Sequence, residues 1–282
     1  MILGLLHPGN MGAALGGRLT AAGNTVLWCP EGRSTDTRER ATAAGLTAVD
    51  DLAELLRRAD MVVSICPSAA AIDVAEMVAE HRFDGAYVEA NAISPQQLQH
   101  IAALLAEHGA SVVDAIISGP PPRDDNPTAK VFVAGARSAC VAVCDLFTTA
   151  GLPVDQLSDR LGAASALKMA LIAYQRPARL LAAISHGLAD QHGITDMLIA
   201  EANRIGTGFL DDRAALPGVA ARAWRWVPEV EEAAISLSDA GLPADFVDAA
   251  AKLYRRYGAD KDNWANTPEQ VIQRLMAIDH DE

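Results

Sequence analysis

The fold of this chain is decided by the stretch Gly4-Leu5-Leu6-His7-Pro8-Gly9-Asn10-Met11-Gly12. Apolar residues predict a short buried strand over 1–6, and a helix is expected from Met11 to about Ala22. A strand, a glycine turn and a helix N-terminus gather backbone N–H groups at the positive end of the helix dipole, which attracts anions. A dinucleotide pyrophosphate is the usual ligand, so the turn residues Pro8, Gly9, Asn10, Met11 and Gly12 are predicted to bind a dinucleotide cofactor.

The glycine spacing departs from the usual G-x-G-x-x-G pattern at one position. His7 replaces the first glycine, whereas Gly9 and Gly12 occupy the second and third positions. Those two positions are where the backbone approaches phosphate and where the helix packs on the strand. An ordinary strand–helix turn without a ligand is the alternative. The place of this turn, at the start of a β-α-β pattern, favours the dinucleotide site.

Strands and helices alternate through the rest of the N-terminal half. Further strands are predicted over 25–28, 46–49, 61–66, 86–89, 111–115 and 130–134, and helices over 51–58, 69–80 and 138–150, with others ending at Ala44 and beginning at Pro95. This alternation predicts an α/β fold with a doubly wound, Rossmann-like parallel sheet. Ligands of such sheets bind beyond the carboxyl ends of the strands, where Cys66, Pro67, Asn91 and Ser118 fall. The first three are predicted to contact the cofactor.

The residues after the second strand indicate which cofactor is bound. An acidic residue there binds the ribose 2′-hydroxyl of NAD, whereas arginine and serine accommodate the 2′-phosphate of NADP. Arg33 and Ser34 therefore predict NADP. Glu31 points the other way and keeps NAD open, and a solvated charged turn is the non-functional alternative.

The C-terminal half has almost no strand pattern. Helices are predicted over 161–192, 196–208, 217–240, 243–257 and 268–279. Thr267-Pro268-Glu269-Gln270 has the form of a capping box with proline at the first helical position. We therefore predict a dinucleotide-binding domain over 1–158, followed by an all-α domain over 159–282 for substrate binding and dimerisation.

Composition narrows the class of protein. The 282 residues carry a net charge of −13, and no basic stripe is available to neutralise nucleic-acid phosphates. The four cysteines lack the spacing of a metal site and are typical of buried thiols in a reducing compartment. Neither a signal peptide nor a membrane span is apparent. The prediction is a cytoplasmic enzyme without a metal, a nucleic-acid partner or a membrane contact.

A lysine stands out in the segment Gly162-Ala163-Ala164-Ser165-Ala166-Leu167-Lys168-Met169-Ala170, which is otherwise small or apolar. Lysine is rarely buried without a partner, so Lys168 is a candidate catalytic residue. The alternative is a structural lysine whose stem covers apolar surface at the domain junction.

The sequence resembles the β-hydroxyacid dehydrogenase superfamily, which includes 3-hydroxyisobutyrate dehydrogenase, 6-phosphogluconate dehydrogenase and, more distantly, imine reductases. The resemblance covers the whole chain and rests on 8–12, 91–95, 114–119 and 162–168. Residues 166–170, 223–226, 229–232 and 240–243 resemble a narrower branch, in which a 6-phosphogluconate-dehydrogenase-like nucleotide domain precedes a C-terminal domain of unassigned function.

The resemblance implies roles for three residues. Ser118 and the backbone N–H of Gly119 would hold the substrate's carboxylate or hydroxyl, and Lys168 would be the general acid/base. It also implies a homodimer with interleaved C-terminal helices. The expected reaction is hydride transfer between NADP and a small, anionic hydroxy acid or its keto partner. An imine reductase and a non-catalytic dinucleotide-binding protein are the alternatives.

Two positions depart from the family pattern. Ile172 stands where the family usually has an asparagine, one helical turn after the lysine. Pro120 replaces the second glycine after the serine and removes one backbone donor. Both departures concern the identity of the substrate more than the type of reaction.

Overall fold

A computed structural model describes residues 1–122 and 128–276. The chain forms two compact units, one from Met1 to Lys168 and a second that begins at Met169. This division lies inside a long helix. The boundary predicted between 158 and 159 stays a prediction.

The first unit is a single eight-stranded sheet with helices between its strands. The strands are β1 (Ile2–Leu6), β2 (Thr25–Trp28), β3 (Thr47–Ala48), β4 (Met61–Ser64), β5 (Ala86–Glu89), β6 (Ser111–Ser118), β7 (Lys130–Ala134) and β8 (Val154–Ser158). The helices are α1 (Asn10–Ala21), α2 (Thr35–Ala43), α3 (Leu52–Arg58), α4 (Ala71–Glu80), α5 (Pro95–Ala106) and α6 (Arg137–Thr149). The strand order is β3-β2-β1-β4-β5-β6-β7-β8. The order reverses between β1 and β4, and such a switch point opens the crevice where ligands bind.

The predicted doubly wound architecture is confirmed by two separate apolar cores. One core contains side chains of α1, α2 and α6, and includes Leu15, Ala41 and Phe147. The other contains side chains of α3, α4 and α5, and includes Leu55 and Leu98. Each core packs on strand residues, so the sheet is covered on both faces, which explains why β4 is buried at every position.

The sheet differs from the prediction at its far edge. β6 was expected to end at Ala115 but continues to Ser118, because Ile116 and Ile117 pair with β7 and are buried. That pairing is antiparallel. The prediction of a wholly parallel sheet is therefore wrong at this edge. The strand β8 was missed because its residues alternate between half-buried and exposed and include polar side chains, which gave no apolar run. Other element bounds differ from the predicted ones by a few residues at their ends.

The second unit is helical, as predicted. Its helices are α7 (Ala163–Gln191), which begins in the first unit, α8 (Thr195–Ile205), α9 (Leu216–Asp239), α10 (Asp245–Arg255) and α11 (Pro268–Met276). The capping box is confirmed, because the Thr267 N–H donates to Gln270 Oε1 at 2.8 Å and the Gln270 N–H donates to Thr267 Oγ1 at 3.3 Å. The predicted end of this helix at 279 lies outside the described residues. Across 1–122 and 128–276, no helix combines the length and apolar character needed to span a membrane.

Candidate active site

The turn between β1 and α1 keeps the backbone shape of the glycine pattern despite the loss of its first glycine. His7 has φ 81°, a left-handed conformation that glycine adopts freely and that costs other residues about 1–2 kcal/mol. The Gly9 N–H donates to the His7 carbonyl at 2.8 Å and closes the turn. His7 therefore takes the place of the first glycine in conformation as well as in sequence.

Gly9 and Gly12 serve different purposes in this turn. A Cβ on Gly12 would lie 2.4 Å from the His7 carbonyl oxygen and 3.0 Å from Ile65 Cγ2, so this position has no room for a side chain. A Cβ on Gly9 would meet no protein atom within 4 Å. Gly12 is thus required by packing, whereas the open space at Gly9 leaves the backbone accessible to a ligand.

The start of α1 fits a pyrophosphate group. Gly9 is the N-cap and has no side chain to satisfy the first N–H groups of the helix, and the first turn contains no acidic residue. Those N–H groups have no intrahelical partner, and the helix dipole favours an anion beside them. Pro8 is buried and Asn10 is exposed, so Pro8 shapes the turn from the protein side. The residues present therefore match what a dinucleotide requires at this position.

Arg33, from the loop after β2, reaches the same turn. Its Nη1 atom lies 2.8 Å from Nδ1 and 2.9 Å from Nε2 of the His7 ring. Burial and then the Arg33 charge lower the pKa of His7 to about 4, so the ring is neutral at pH 7 and can accept from Arg33. Ser34 caps α2, because its Oγ accepts from the Thr37 N–H at 3.3 Å. Arg33, one of the two residues predicted to bind the 2′-phosphate, therefore lies beside the turn predicted to bind the pyrophosphate.

Asn91 ties together the carboxyl ends of β4 and β5. Its Oδ1 accepts from the Cys66 N–H at 2.6 Å, and its Nδ2 donates to Ser64 Oγ at 3.0 Å. The side chain is buried, and both ends of its amide are used within the protein. Asn91 therefore fixes the Cys66-Pro67 turn next to the switch point, and its contact with the cofactor stays a prediction.

Glu89, which the sequence pattern did not single out, holds the backbone of Asn91 in place. Its carboxyl group is buried, and its Oε1 accepts from the Asn91 N–H at 2.9 Å. Its Oε2 has no hydrogen-bond partner among the described residues. Burial raises the pKa of Glu89 to about 8, so the carboxyl is largely protonated at neutral pH. The one signal in the sequence that could have identified Glu89 is its position at the end of an otherwise apolar strand.

Glu89→Gln is expected to flatten the pH dependence of folding stability. The pKa of this carboxyl is about 8 when folded and 4.5 ordinarily, so between these values the folded state holds a proton that the unfolded chain has released. The stabilisation is complete below about pH 4.5 and falls as pH rises toward 8, by up to about 1.4 kcal/mol per pH unit. Thermal midpoints between pH 5 and 9 measure this, with the exposed Glu76→Gln as control. Equal pH slopes in both variants would contradict the assignment.

Lys168 lies beside the serine predicted to hold substrate. Its Nζ donates to the carbonyl oxygen of Ile117 at 3.0 Å, one residue before Ser118 at the end of β6. Gly119 follows with φ 108°, and a Cβ there would lie 3.1 Å from the Thr128 carbonyl oxygen. The structure thus brings the three predicted catalytic residues to one strand end. Their roles stay predictions.

Asp114 fixes the position of the lysine. It is fully buried in β6, and its carboxylate accepts from the N–H of Ala164 at 2.9 Å and from the Oγ of Ser165 at 2.7 Å. Burial raises the pKa of Asp114, and hydrogen bonds from Ser165, Ala164 and Gly162 oppose that rise. Because these bonds anchor the first turn of α7 to β6, they set where Lys168 meets the strand end.

Two families match this chain. Residues 2–157 match the NAD binding domain of 6-phosphogluconate dehydrogenase. Residues 189–257 match a domain of unknown function, DUF1932. The first match includes the turn and all of the sheet except the last residue of β8, and it covers more than half of the chain.

Two curated proteins resemble the chain over part of its length. An uncharacterised 28.5 kDa protein in a 7S RNA 5′ region of Methanothermus fervidus is 26% identical over 174 residues, covering 62% of this chain and 65% of that protein. The mitochondrial 3-hydroxyisobutyrate dehydrogenase of Drosophila melanogaster is 27% identical over 144 residues, covering 50% of this chain and 44% of that enzyme. The chain thus matches less than two thirds of the length of either relative.

Solved structures share the fold along nearly the whole chain. The 3-hydroxyisobutyrate dehydrogenase of Salmonella typhimurium superposes with a TM-score of 0.78 at 19% identity, covering 97% of this chain and 99% of that one. An imine reductase of Streptomyces aurantiacus gives 0.63 at 21% identity, covering 99% and 100%. At these identities the likeness extends to the fold alone.

Proposed function

The chain belongs to the family of the NAD binding domain of 6-phosphogluconate dehydrogenase, as its resemblance predicted, and on this premise we propose that it is an NADP-dependent oxidoreductase. Its substrate would be a small, anionic hydroxy acid or the keto partner of that acid. The observation that carries the proposal is the position of Lys168, whose Nζ donates to Ile117 beside Ser118 at the carboxyl end of β6. The dinucleotide turn follows β1 of the same sheet.

The protein's part in the reaction is to supply a proton and to hold the substrate. The bound nicotinamide would donate or accept the hydride. Lys168, when neutral, would take the hydroxyl proton during oxidation, and when protonated it would give a proton to the new alkoxide during reduction. Ser118 and the Gly119 N–H would hold the carboxylate or hydroxyl of the substrate.

Turnover by purified protein tests this proposal directly. NADPH and NADH are titrated first, and a panel of 2- and 3-hydroxy acids, keto acids and cyclic imines is then followed by nicotinamide absorbance. Turnover of a hydroxy or keto acid supports the proposal. Turnover of imines alone would favour an imine reductase, and cofactor binding without turnover on any panel member would favour a non-catalytic dinucleotide-binding protein.

Arg33→Gln is expected to weaken NADPH binding about tenfold or more and to leave NADH binding nearly unchanged, because the guanidinium would pair with the 2′-phosphate. The contact between Arg33 and the His7 ring, at the turn between β1 and α1, supports this role. Fluorescence titration with both cofactors measures the effect, and the exposed Arg57→Gln is the matched control. An equal loss of affinity for NADPH and NADH would contradict the 2′-phosphate assignment.

A homodimer is part of the proposal. Four large apolar side chains, Tyr174, Leu181, Ile184 and Leu188, are spaced along one side of α7 and are 73%, 47%, 45% and 61% exposed. An apolar helix face of this kind is typical of an interface, which supports a dimer through the C-terminal helices. Light scattering after size exclusion tests whether the protein is a dimer.

The four free thiols support a reducing compartment, and we propose that the protein is located in the cytoplasm.

A further inference from the structure

Several arginines of the second unit differ in whether a carboxylate neutralises them. Five form ion pairs with carboxylates of the same unit: Arg176 with Glu229, Arg204 with Glu201, Arg213 with Asp190 and Glu269, Arg255 with Glu231, and Arg274 with Asp260. Arg179 and Arg222 are half-buried, yet neither forms an ion pair with any residue of the described part of the chain. A half-buried charge without a counter-ion is costly and needs an explanation.

Aromatic rings hold these guanidinium groups in place. The Cζ atoms of Arg176 and Arg222 lie 4.0 Å and 5.4 Å from the centre of the same Trp226 ring. Arg179, one turn after Arg176 on α7, has its Cζ 4.1 Å from the centre of the Phe209 ring. A guanidinium stacked on a ring has a fixed plane and keeps the donors at its edge available.

Buried donors in this cluster are unused. The Nε atoms of Arg176 and Arg179 are buried and have no hydrogen-bond partner among the described residues. The Nε of Arg222 donates to the Gly218 carbonyl at 2.6 Å, which fixes that side chain without neutralising it. Arg176 already donates to Glu229, whereas the guanidinium groups of Arg179 and Arg222 have no ion-paired carboxylate among the described residues.

Positive charge exceeds negative charge around the cluster. Burial first, and then neighbouring arginines, lower the pKa of Arg179 and of Arg222. Arg225 adds to the repulsion on Arg222, whereas Asp212 favours the charge on Arg179. This concentration occurs in a chain whose net charge is −13, so the overall composition does not account for it.

We propose that Arg176, Arg179 and Arg222 form an anion-binding site in the second unit. Planar guanidinium forks match the paired oxygens of a carboxylate or a phosphate, so the ligand is a small molecule that carries one of these two groups. The aromatic rings that stack on the guanidinium groups of Arg176, Arg179 and Arg222 would flank this ligand. The proposal does not rest on the oxidoreductase activity.

Thermal unfolding of the full-length protein tests this site, with malonate and inorganic phosphate as probes at constant ionic strength. We expect the wild-type midpoint to rise with probe concentration. Arg179→Gln and Arg222→Gln should each weaken probe binding about tenfold or more, because each removes a charge-assisted hydrogen-bond donor. A larger response to malonate identifies a carboxylate ligand, and a larger response to phosphate identifies a phosphate.

Two control variants separate this site from others. Arg204→Gln breaks an exposed ion pair elsewhere in the second unit and should keep the wild-type response. Gly9→Ala alters the dinucleotide turn, which also attracts anions, so the response that this variant keeps comes from the arginine cluster and not from the turn. If the glutamine variants do not fold, Arg179→Lys and Arg222→Lys retain the charge but lose the fork, and several-fold weaker binding is expected.

Other outcomes would overturn the proposal. They are a wild-type midpoint that does not respond to either probe, and a response that survives in the arginine variants. A third is a dimer that dissociates in Arg179→Gln or Arg222→Gln without any probe response, because the missing anion would then come from a second copy of the chain.

Discussion

Replacing Lys168 with alanine is expected to lower kcat by about a hundredfold to ten-thousandfold, the usual contribution of a general acid or base. The affinity for NADPH should be nearly unchanged, because the ammonium contacts the Ile117 carbonyl on β6 and the dinucleotide turn follows β1. Steady-state turnover of the best substrate in the panel, together with fluorescence titration of NADPH, measures both quantities.

The matched control for this experiment is Lys252→Ala, which removes an exposed lysine on α10 and should leave kcat at the wild-type value. Circular dichroism shows whether the Lys168 variant is folded, since loss of its hydrogen bond to Ile117 costs stability of about 1 kcal/mol. If Lys168→Ala kept about a tenth of wild-type turnover or more, the loss would fall short of what a general acid or base supplies, and the assignment would be wrong.

The structural elements that the sequence predicted best are those that depend on a local pattern of residues. The strand, turn and helix from β1 to α1 follow from an apolar run and from the spacing of Gly9 and Gly12. The capping box at Thr267 was equally local, since both of its hydrogen bonds join residues three apart. The far edge of the sheet was harder, because Ile116 and Ile117 continue β6 through pairing with β7, and that pairing is a tertiary contact.

What the sequence could not reveal depends on tertiary contacts, on burial and on backbone torsions. Asp114 anchors the start of α7 through Ser165, across about fifty positions. In the sequence, Glu89 is the polar end of an apolar strand, and the burial that raises its pKa is a property of the fold. His7 breaks a glycine pattern, and its positive φ restores the same turn. None of these three properties follows from the residue pattern alone.

Gly9→Ala is expected to weaken the binding of NADPH and NADH alike, by about tenfold or more, because a methyl group would occupy the space that the pyrophosphate approaches. Folding stability should fall by no more than about 1 kcal/mol, the difference between glycine and alanine at an N-cap. The structure supports this separation, since the new Cβ meets no protein atom within 4 Å and Gly9 has φ −67°, which alanine adopts readily.

The comparison with Gly12→Ala makes this prediction specific to a ligand. The Cβ at Gly12 would lie 2.4 Å from the His7 carbonyl oxygen, so that variant should lose stability whether or not a dinucleotide binds. Gly258→Ala, whose Cβ also meets nothing within 4 Å, controls for the substitution itself and should change neither property. Cofactor titration and thermal midpoints of the three variants measure both effects. Wild-type affinity for both nucleotides in Gly9→Ala would mean that the pyrophosphate does not bind at this turn.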